Sequence, residues 1–142
     1  MNNQVNALSE AQGLQTRELA KHQLKPLRKD LNTPVIDHWV LQLHGVAPHL
    51  LDDPRNLEEQ LSGAVKSLEL TEVSSHSHYF GPGVSTVIIL SESHLSAHTW
   101  PELGYIHMDI VTCVKKLTRE KLEAEFQRRF KGQFIQLVQL EY

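Results

Sequence analysis

Leu90-Ser91-Glu92-Ser93-His94-Leu95-Ser96-Ala97-His98-Thr99-Trp100-Pro101-Glu102 joins two kinds of signal in one place. It grows out of Val84-Ser85-Thr86-Val87-Ile88-Ile89-Leu90, a β-branched run that predicts a strand over 84–90. The run stops in Glu92-Ser93-His94, a second histidine follows at His98, and Pro101 and Gly104 break the next extended segment. A serine hydroxyl directly after a peptide carbonyl, with imidazoles nearby, can attack its own chain, so the strand boundary is also a candidate reaction centre.

Working outward, Gly81-Pro82-Gly83 predicts a turn before the strand, and Thr71 to Phe80, rich in Ser, Val and His, predicts a half-exposed strand. Asp53-Pro54 is a helix start, with Asp as N-cap and Pro at the first helical position. Leu57, Leu61, Ala64, Val65 and Leu68 follow at helical spacing and give that helix one apolar face. Val35 to His44 predicts a first strand with Trp39, Leu41 and Leu43 on one face, and Pro34 marks the domain start. Downstream, Tyr105 to Cys113 predicts a strand. Thr118 predicts the cap of a helix to Arg129 with Leu122, Phe126 and Phe130 as its apolar edge, Gly132 suits its C-terminal cap, and Phe134 to Tyr142 predicts a last strand. The order is β-α-β-β, one or two further strands, then α-β. The expected fold class is α+β, a two-layer sandwich with an antiparallel sheet and helices on one face.

The chain has 142 residues, enough for one domain with a real core. A net charge of −3 argues against nucleic acid, which calls for a basic face. The longest apolar run, Val87 to Leu90, is too short for a membrane span, and Met1 to Gln23 is polar with no secretory h-region, so a cytoplasmic location is expected. Residues 1–33 read as a polar N-terminal extension, in which Leu8, Ala11, Leu14 and Leu19 have the spacing of a short amphipathic helix, ahead of a domain over 34–142. A lone cysteine, Cys113, precludes an internal disulfide and is either a catalytic thiol or a buried structural one. Glu58-Glu59 and Arg128-Arg129-Phe130-Lys131 read as solvated helix faces.

Glu92-Ser93-His94, His98-Thr99-Trp100-Pro101-Glu102, Gly104-Tyr105, Asp109 and Thr112-Cys113, with Gly83-Val84-Ser85 upstream, keep fixed types at fixed spacings. This set resembles the processing region of the prokaryotic pyruvoyl-dependent S-adenosylmethionine decarboxylase proenzymes. The clear match spans about residues 83 to 113, with a weaker one over roughly 35 to 142. The resemblance implies a βαββαβ-like protomer, pairing of two processed protomers as a dimer, and self-cleavage between 92 and 93. Ser93 Oγ would attack the Glu92 carbonyl, and elimination and hydrolysis would leave a pyruvoyl group, the cofactor, in place of Ser93. Holding an internal nucleophile in place lowers such a barrier by roughly 7–11 kcal/mol. His98 and Ser85 match the residues that assist this processing in the family. Cys113 matches its proton donor, a role open to a thiol because a thiol is mostly protonated at neutral pH. The pyruvoyl carbonyl would form a Schiff base with a substrate amine and take up the electrons of decarboxylation. The expected product is the aminopropyl donor for spermidine synthesis.

Substrate recognition is less sharply written. Tyr79 falls where the family has a stacking Phe, Trp100 is a second aromatic candidate, and Glu102 is placed to bind a ribose or a cationic group. Core packing is the usual fate of strand aromatics and is the expectation for Phe80. Two departures from the family pattern, Ile106-His107-Met108 and the stretch His76 to Pro82, fall near the expected pocket. They keep open an alternative: the same chemistry on ornithine or arginine. A weaker alternative, a metal-binding homologue that never cleaves, follows from His76-x-His78 and His94-x-x-x-His98, if adjacent strands brought His78, His98 and Cys113 together. No Cys-x-x-Cys accompanies these histidines, and no metal is expected.

Overall fold

The computed structural model describes residues 32–141; the expectations for the N-terminal extension lie outside the described residues. Strand β1 is Asp37–His44, β2 Glu72–Tyr79, β3 Val84–Leu90, β4 Ser93–Trp100, β5 Tyr105–Thr112 and β6 Phe134–Leu140, with helix α1 at Pro54–Ser67 and α2 at Arg119–Phe130. The two strands left open between β3 and the second helix are β4 and β5. They are joined by a 3-10 turn, Pro101–Leu103, that ends on Gly104 in the left-handed conformation (φ 59°).

All six strands form one antiparallel sheet in the order β2-β3-β4-β5-β1-β6. Strands β2 to β5 are a meander, since each connection is short. β1 pairs with β5, and β6 returns after α2 to the free side of β1. The helices start where the sequence dictates. The Asp53 carboxylate accepts from the N–H groups of Arg55 (3.0 Å) and Asn56 (3.3 Å), and the Thr118 hydroxyl accepts from the Lys121 N–H (3.2 Å). The end of α2 differs from expectation. Lys131, not Gly132, takes the left-handed cap position (φ 49°), and its N–H donates to the Gln127 carbonyl. Gly132 serves a close approach instead, because a Cβ there would lie 3.1 Å from the His44 carbonyl oxygen.

Period-two alternation sorts the strands into two faces. Trp39, Leu41 and Leu43, Val84, Ile88 and Leu90, Leu95 and Ala97, and Ile106, Met108 and Ile110 are buried on the face that α1 and α2 cover. They pack with Leu57, Leu61, Ala64 and Val65 of α1 and with Leu122, Phe126 and Phe130 of α2. Each fully buried Leu, Ile or Phe contributes about 1.5–3 kcal/mol, which makes this layer the energetic base of the fold. Two charge clusters are less solvated than their sequences suggest. Glu58 accepts from the hydroxyls of Ser75 (2.5 Å) and Ser77 (2.6 Å), and Arg129 reaches Glu125, Gln60 and Ser67 while Phe130 is fully buried.

The other face carries no helix among the described residues. Val40, Val87, Ile89, Val111 and Val138 sit there among His38, Ser85, His94, Ser96, His98, His107 and Asp109. Val87, Ile89 and Val138 are 40%, 46% and 54% exposed, more apolar surface than a solvated sheet face usually shows. No helix among the described residues is long and apolar enough to cross a membrane.

Candidate active site

The sharp end of the β3–β4 hairpin positions the Glu92–Ser93 bond. Leu90 pairs with Ser93, and Ser93 pairs in turn with Thr112 of β5. One residue past that pair, the Cys113 N–H donates to the Glu92 carbonyl oxygen at 2.9 Å. The Glu92 side chain is tied back at the same time, its carboxylate accepting from the Thr71 N–H at 3.1 Å. Partial burial pushes that carboxyl up, but the bond from Thr71 and the charge of Lys116 outweigh it and hold it below the usual carboxylate value. Glu92 is therefore held by its carbonyl to the residue that follows β5 and by its side chain to the segment entering β2.

Ser93 itself is strained. Its φ of 148° is rare for any residue with a Cβ. That twist breaks the strand alternation and brings Ser93 Oγ within 3.3 Å of His94 Nδ1, although adjacent residues of a regular strand point to opposite faces. Cys113 is exposed, so the buried structural thiol is ruled out, and its thiol lies free at the end of β5. Glu92, Ser93 and Cys113 thus form one cluster at one end of the sheet.

Ser85 and His98 form a second cluster. They are cross-strand partners on the open face, and Ser85 Oγ lies 2.7 Å from His98 Nδ1. His98 follows Ser93 by five residues on β4, about 17 Å at ~3.3 Å per residue, so the pair does not touch Ser93 within one protomer. The substrate candidates keep company with Ser85 and His98 rather than with Ser93. Trp100 is 40% exposed with its ring 5.5 Å from that of Tyr105, Tyr79 is 50% exposed opposite Val84, and Glu102 is exposed in the 3-10 turn. Phe80 departs from the expected core packing. It is 64% exposed at the start of the turn into β3, edge-on to His78 at 4.7 Å.

Two other expectations change. Ile106 and Met108 are buried under the helices, and only His107 faces the open side, opposite His98, so most of that departure from the family pattern is core packing. His78 shares a cross-sheet row with Ser85 and His98, but Cys113 lies at the far end, and these three do not converge. A feature without an assigned role in the sequence is the set around Asp109. Its carboxylate accepts from the Ser96 hydroxyl and lies 3.3 Å from His38 Nε2 and 3.7 Å from His94 Nε2. The signal was present in the hairpin: pairing outward from the Pro101–Gly104 turn sets Ser96 opposite Asp109 and Glu92 beside Cys113.

The chain matches the family model for S-adenosylmethionine decarboxylase over residues 37–141. The S-adenosylmethionine decarboxylase proenzyme of Methanococcus maripaludis strain C7 is 39% identical over 105 residues, 73% of this chain and 86% of that protein. The proenzyme of Pyrococcus furiosus is 35% identical over 105 residues, 73% of this chain and 76% of that one. The crystal structure of the adenosylmethionine decarboxylase from Aquifex aeolicus superposes with a TM-score of 0.68 at 32% identity, covering 78% of this chain and 92% of that chain. A match of this extent, on a fold and a set of clusters of this kind, makes the chain a member of the S-adenosylmethionine decarboxylase family.

Proposed function

We propose that the chain is a proenzyme that cleaves itself between Glu92 and Ser93, acquires a pyruvoyl group from Ser93 and decarboxylates S-adenosylmethionine. The observation that carries this reading is the Cys113 N–H bonded to the Glu92 carbonyl beside a serine with φ 148°. A peptide bond so held is prepared for attack: the nucleophile is the next residue, and a backbone donor already faces the oxygen on which negative charge develops. Such a donor is worth about 10²–10³ in rate. Strain of the order of 1–3 kcal/mol at Ser93 is released when the bond opens.

In the first step Ser93 Oγ bonds the Glu92 carbonyl carbon and the C–N bond breaks, converting the amide to an ester and freeing the Ser93 amine. A base then removes the Ser93 α-proton, the Glu92 carboxylate leaves, and water hydrolyses the remaining enamine with loss of ammonia. The pyruvoyl group so generated supplies a ketone that binds a substrate amine and withdraws electrons as CO₂ departs. The residues around position 93 suit such a group, since it would sit at an exposed chain start next to the free thiol of Cys113, which returns a proton to carbon. The names of the relatives favour S-adenosylmethionine over ornithine or arginine, and the product would be an aminopropyl donor for polyamine synthesis.

Ser85 and His98 enter through a partner. Two protomers stacked open face to open face, with strands running in opposite senses, bring the partner's His98 to this chain's Ser93. The same stacking covers Val87, Ile89 and Val138 and sets Tyr79, Trp100 and Glu102 of one protomer beside the thiol of the other. The size of the uncovered apolar strip supports that dimer, as does the separation of about 17 Å, at ~3.3 Å per residue, between two clusters that the chemistry needs together.

Intact mass of the purified protein tests the reading. Two fragments split before Ser93, the later one without a free N-terminal amine, are the expected result, with CO₂ released from S-adenosylmethionine and not from ornithine or arginine. A single full-length chain overturns it.

A further inference from the structure

We propose that His94 is the general base for the first step of self-cleavage, held in the required tautomer by Asp109. This inference rests on the self-cleavage reading above. Attack by Ser93 Oγ requires a group to take its proton. The Ser85–His98 pair of the same protomer is about 17 Å away, at ~3.3 Å per strand residue, and the partner's His98 is left for the later removal of the Ser93 α-proton, without which the ester does not break. His94 is the imidazole at hand, with Nδ1 3.3 Å from Ser93 Oγ. A contact of that length tightens as the reacting geometry forms.

The geometry on the far side of the ring decides which nitrogen carries hydrogen. Nε2 of His94 faces Asp109 Oδ2 at 3.7 Å, longer than a hydrogen bond, and the negative charge of a carboxylate on that side favours hydrogen on Nε2 and leaves the Nδ1 lone pair toward Ser93. This is the order nucleophile, imidazole, carboxylate that activates serine on unrelated folds, with the roles of the two ring nitrogens exchanged. Asp109 is itself fixed from two strands. Ser96 of β4 donates to its Oδ1, and His38 of β1 lies 3.3 Å from its Oδ2. Its side chain is 24% exposed, against 40% for His94, so the carboxylate is the sheltered anchor and the imidazole the accessible end.

The step balances without any added reagent. The Oγ proton passes to His94 Nδ1 as Oγ bonds the Glu92 carbonyl carbon, and the resulting oxyanion keeps its bond from the Cys113 N–H. Collapse breaks the C–N bond, and the Ser93 nitrogen takes the proton back from Nδ1. The imidazole ends neutral and the amide has become an ester. His94 is thus a catalytic residue of processing, and Asp109 a positioning residue that acts through it.

Cleavage of the full-length chain made by pulse-labelled cell-free translation tests this, followed as the fraction cleaved over time. His94→Ala is expected to slow cleavage by about 10²–10⁴-fold, with partial recovery on adding imidazole. Asp109→Asn is expected to slow it by about tenfold or more, because the amide no longer selects the tautomer. Cleavage of His94→Ala within about twofold of wild type overturns the proposal. So does a slow His94→Ala chain that unfolds like wild type and gains nothing from imidazole. If His94→Ala shows no cooperative unfolding transition, the isosteric Asp109→Asn decides, and a wild-type rate there overturns the proposal. A wild-type chain that stays whole is a different failure: it removes the self-cleavage reading itself.

Discussion

The backbone N–H of Cys113 donates to the carbonyl oxygen of Glu92 at 2.9 Å, so one residue offers an amide to that carbonyl and an exposed thiol to the space beside it. In the proposed mechanism the two groups serve different steps, and they separate by mutation. Cys113→Ala keeps the amide and removes the thiol. The variant should cleave at close to the wild-type rate, as read by intact mass, yet decarboxylate about 10²–10⁴-fold more slowly, the usual loss for a general acid. Unchanged turnover would take the thiol out of the mechanism.

Thr99 stitches the site to the helical layer. Its buried hydroxyl donates to the Leu51 carbonyl at 2.6 Å and accepts from the Val84 N–H at 2.9 Å, next to Ser85. Thr99→Val keeps the shape and strands both backbone groups, each at about 1–3 kcal/mol. Urea unfolding should show a loss of at least about 1 kcal/mol, and cleavage should slow as the start of β3 loosens. Wild-type stability would mean that water replaces both bonds.

Glu58 links α1 to the edge strand β2, and its pH response has a definite sign. The hydroxyls of Ser75 and Ser77, against a smaller opposing effect of burial, hold its carboxyl below the usual value. The unfolded chain therefore takes up this proton first on acidification. The stabilisation is present above the ordinary carboxylate pKa of about 4.3 and is lost as pH falls through the lower folded value. Glu58→Gln should cost about 1–2 kcal/mol at neutral pH, after allowance for partial exposure, and the difference from wild type should vanish in acid. A difference that persists at low pH would show that the side chain acts through packing.

Much of this molecule is legible in its residues. Asp53-Pro54 and Thr118 announce the two helix starts because capping is local chemistry, and the β-branched run Val84–Leu90 announces its strand, while which of its residues are buried follows from the pleat. The Gly132 cap failed because cap geometry and a tight backbone approach favour the same residue, and only the position of His44 tells them apart. The exposure of Phe80 is not legible in the sequence, because an aromatic in a strand pattern says nothing about whether a turn has already begun. In the candidate site, the family resemblance names Glu92, Ser93 and Cys113, and the strand register sets the three side by side. The resemblance could not reveal that Ser85 and His98 lie beyond reach of Ser93, since distance along a strand becomes proximity only through a second layer. The Asp109 network needed the strand register, which a four-residue turn sets but which no single residue carries.

Each proposed site is shared between two protomers. Co-expression of a Ser93→Ala chain with a separately tagged His98→Ala chain measures it directly. Each variant alone should stay whole, the first for want of a nucleophile and the second for want of its processing histidine. In the mixed dimer the His98→Ala chain keeps Ser93 and receives the partner's intact His98, so that chain, and not the Ser93→Ala chain, should be cleaved after Glu92. Mixed dimers in which the His98→Ala chain remains full-length would contradict the shared site.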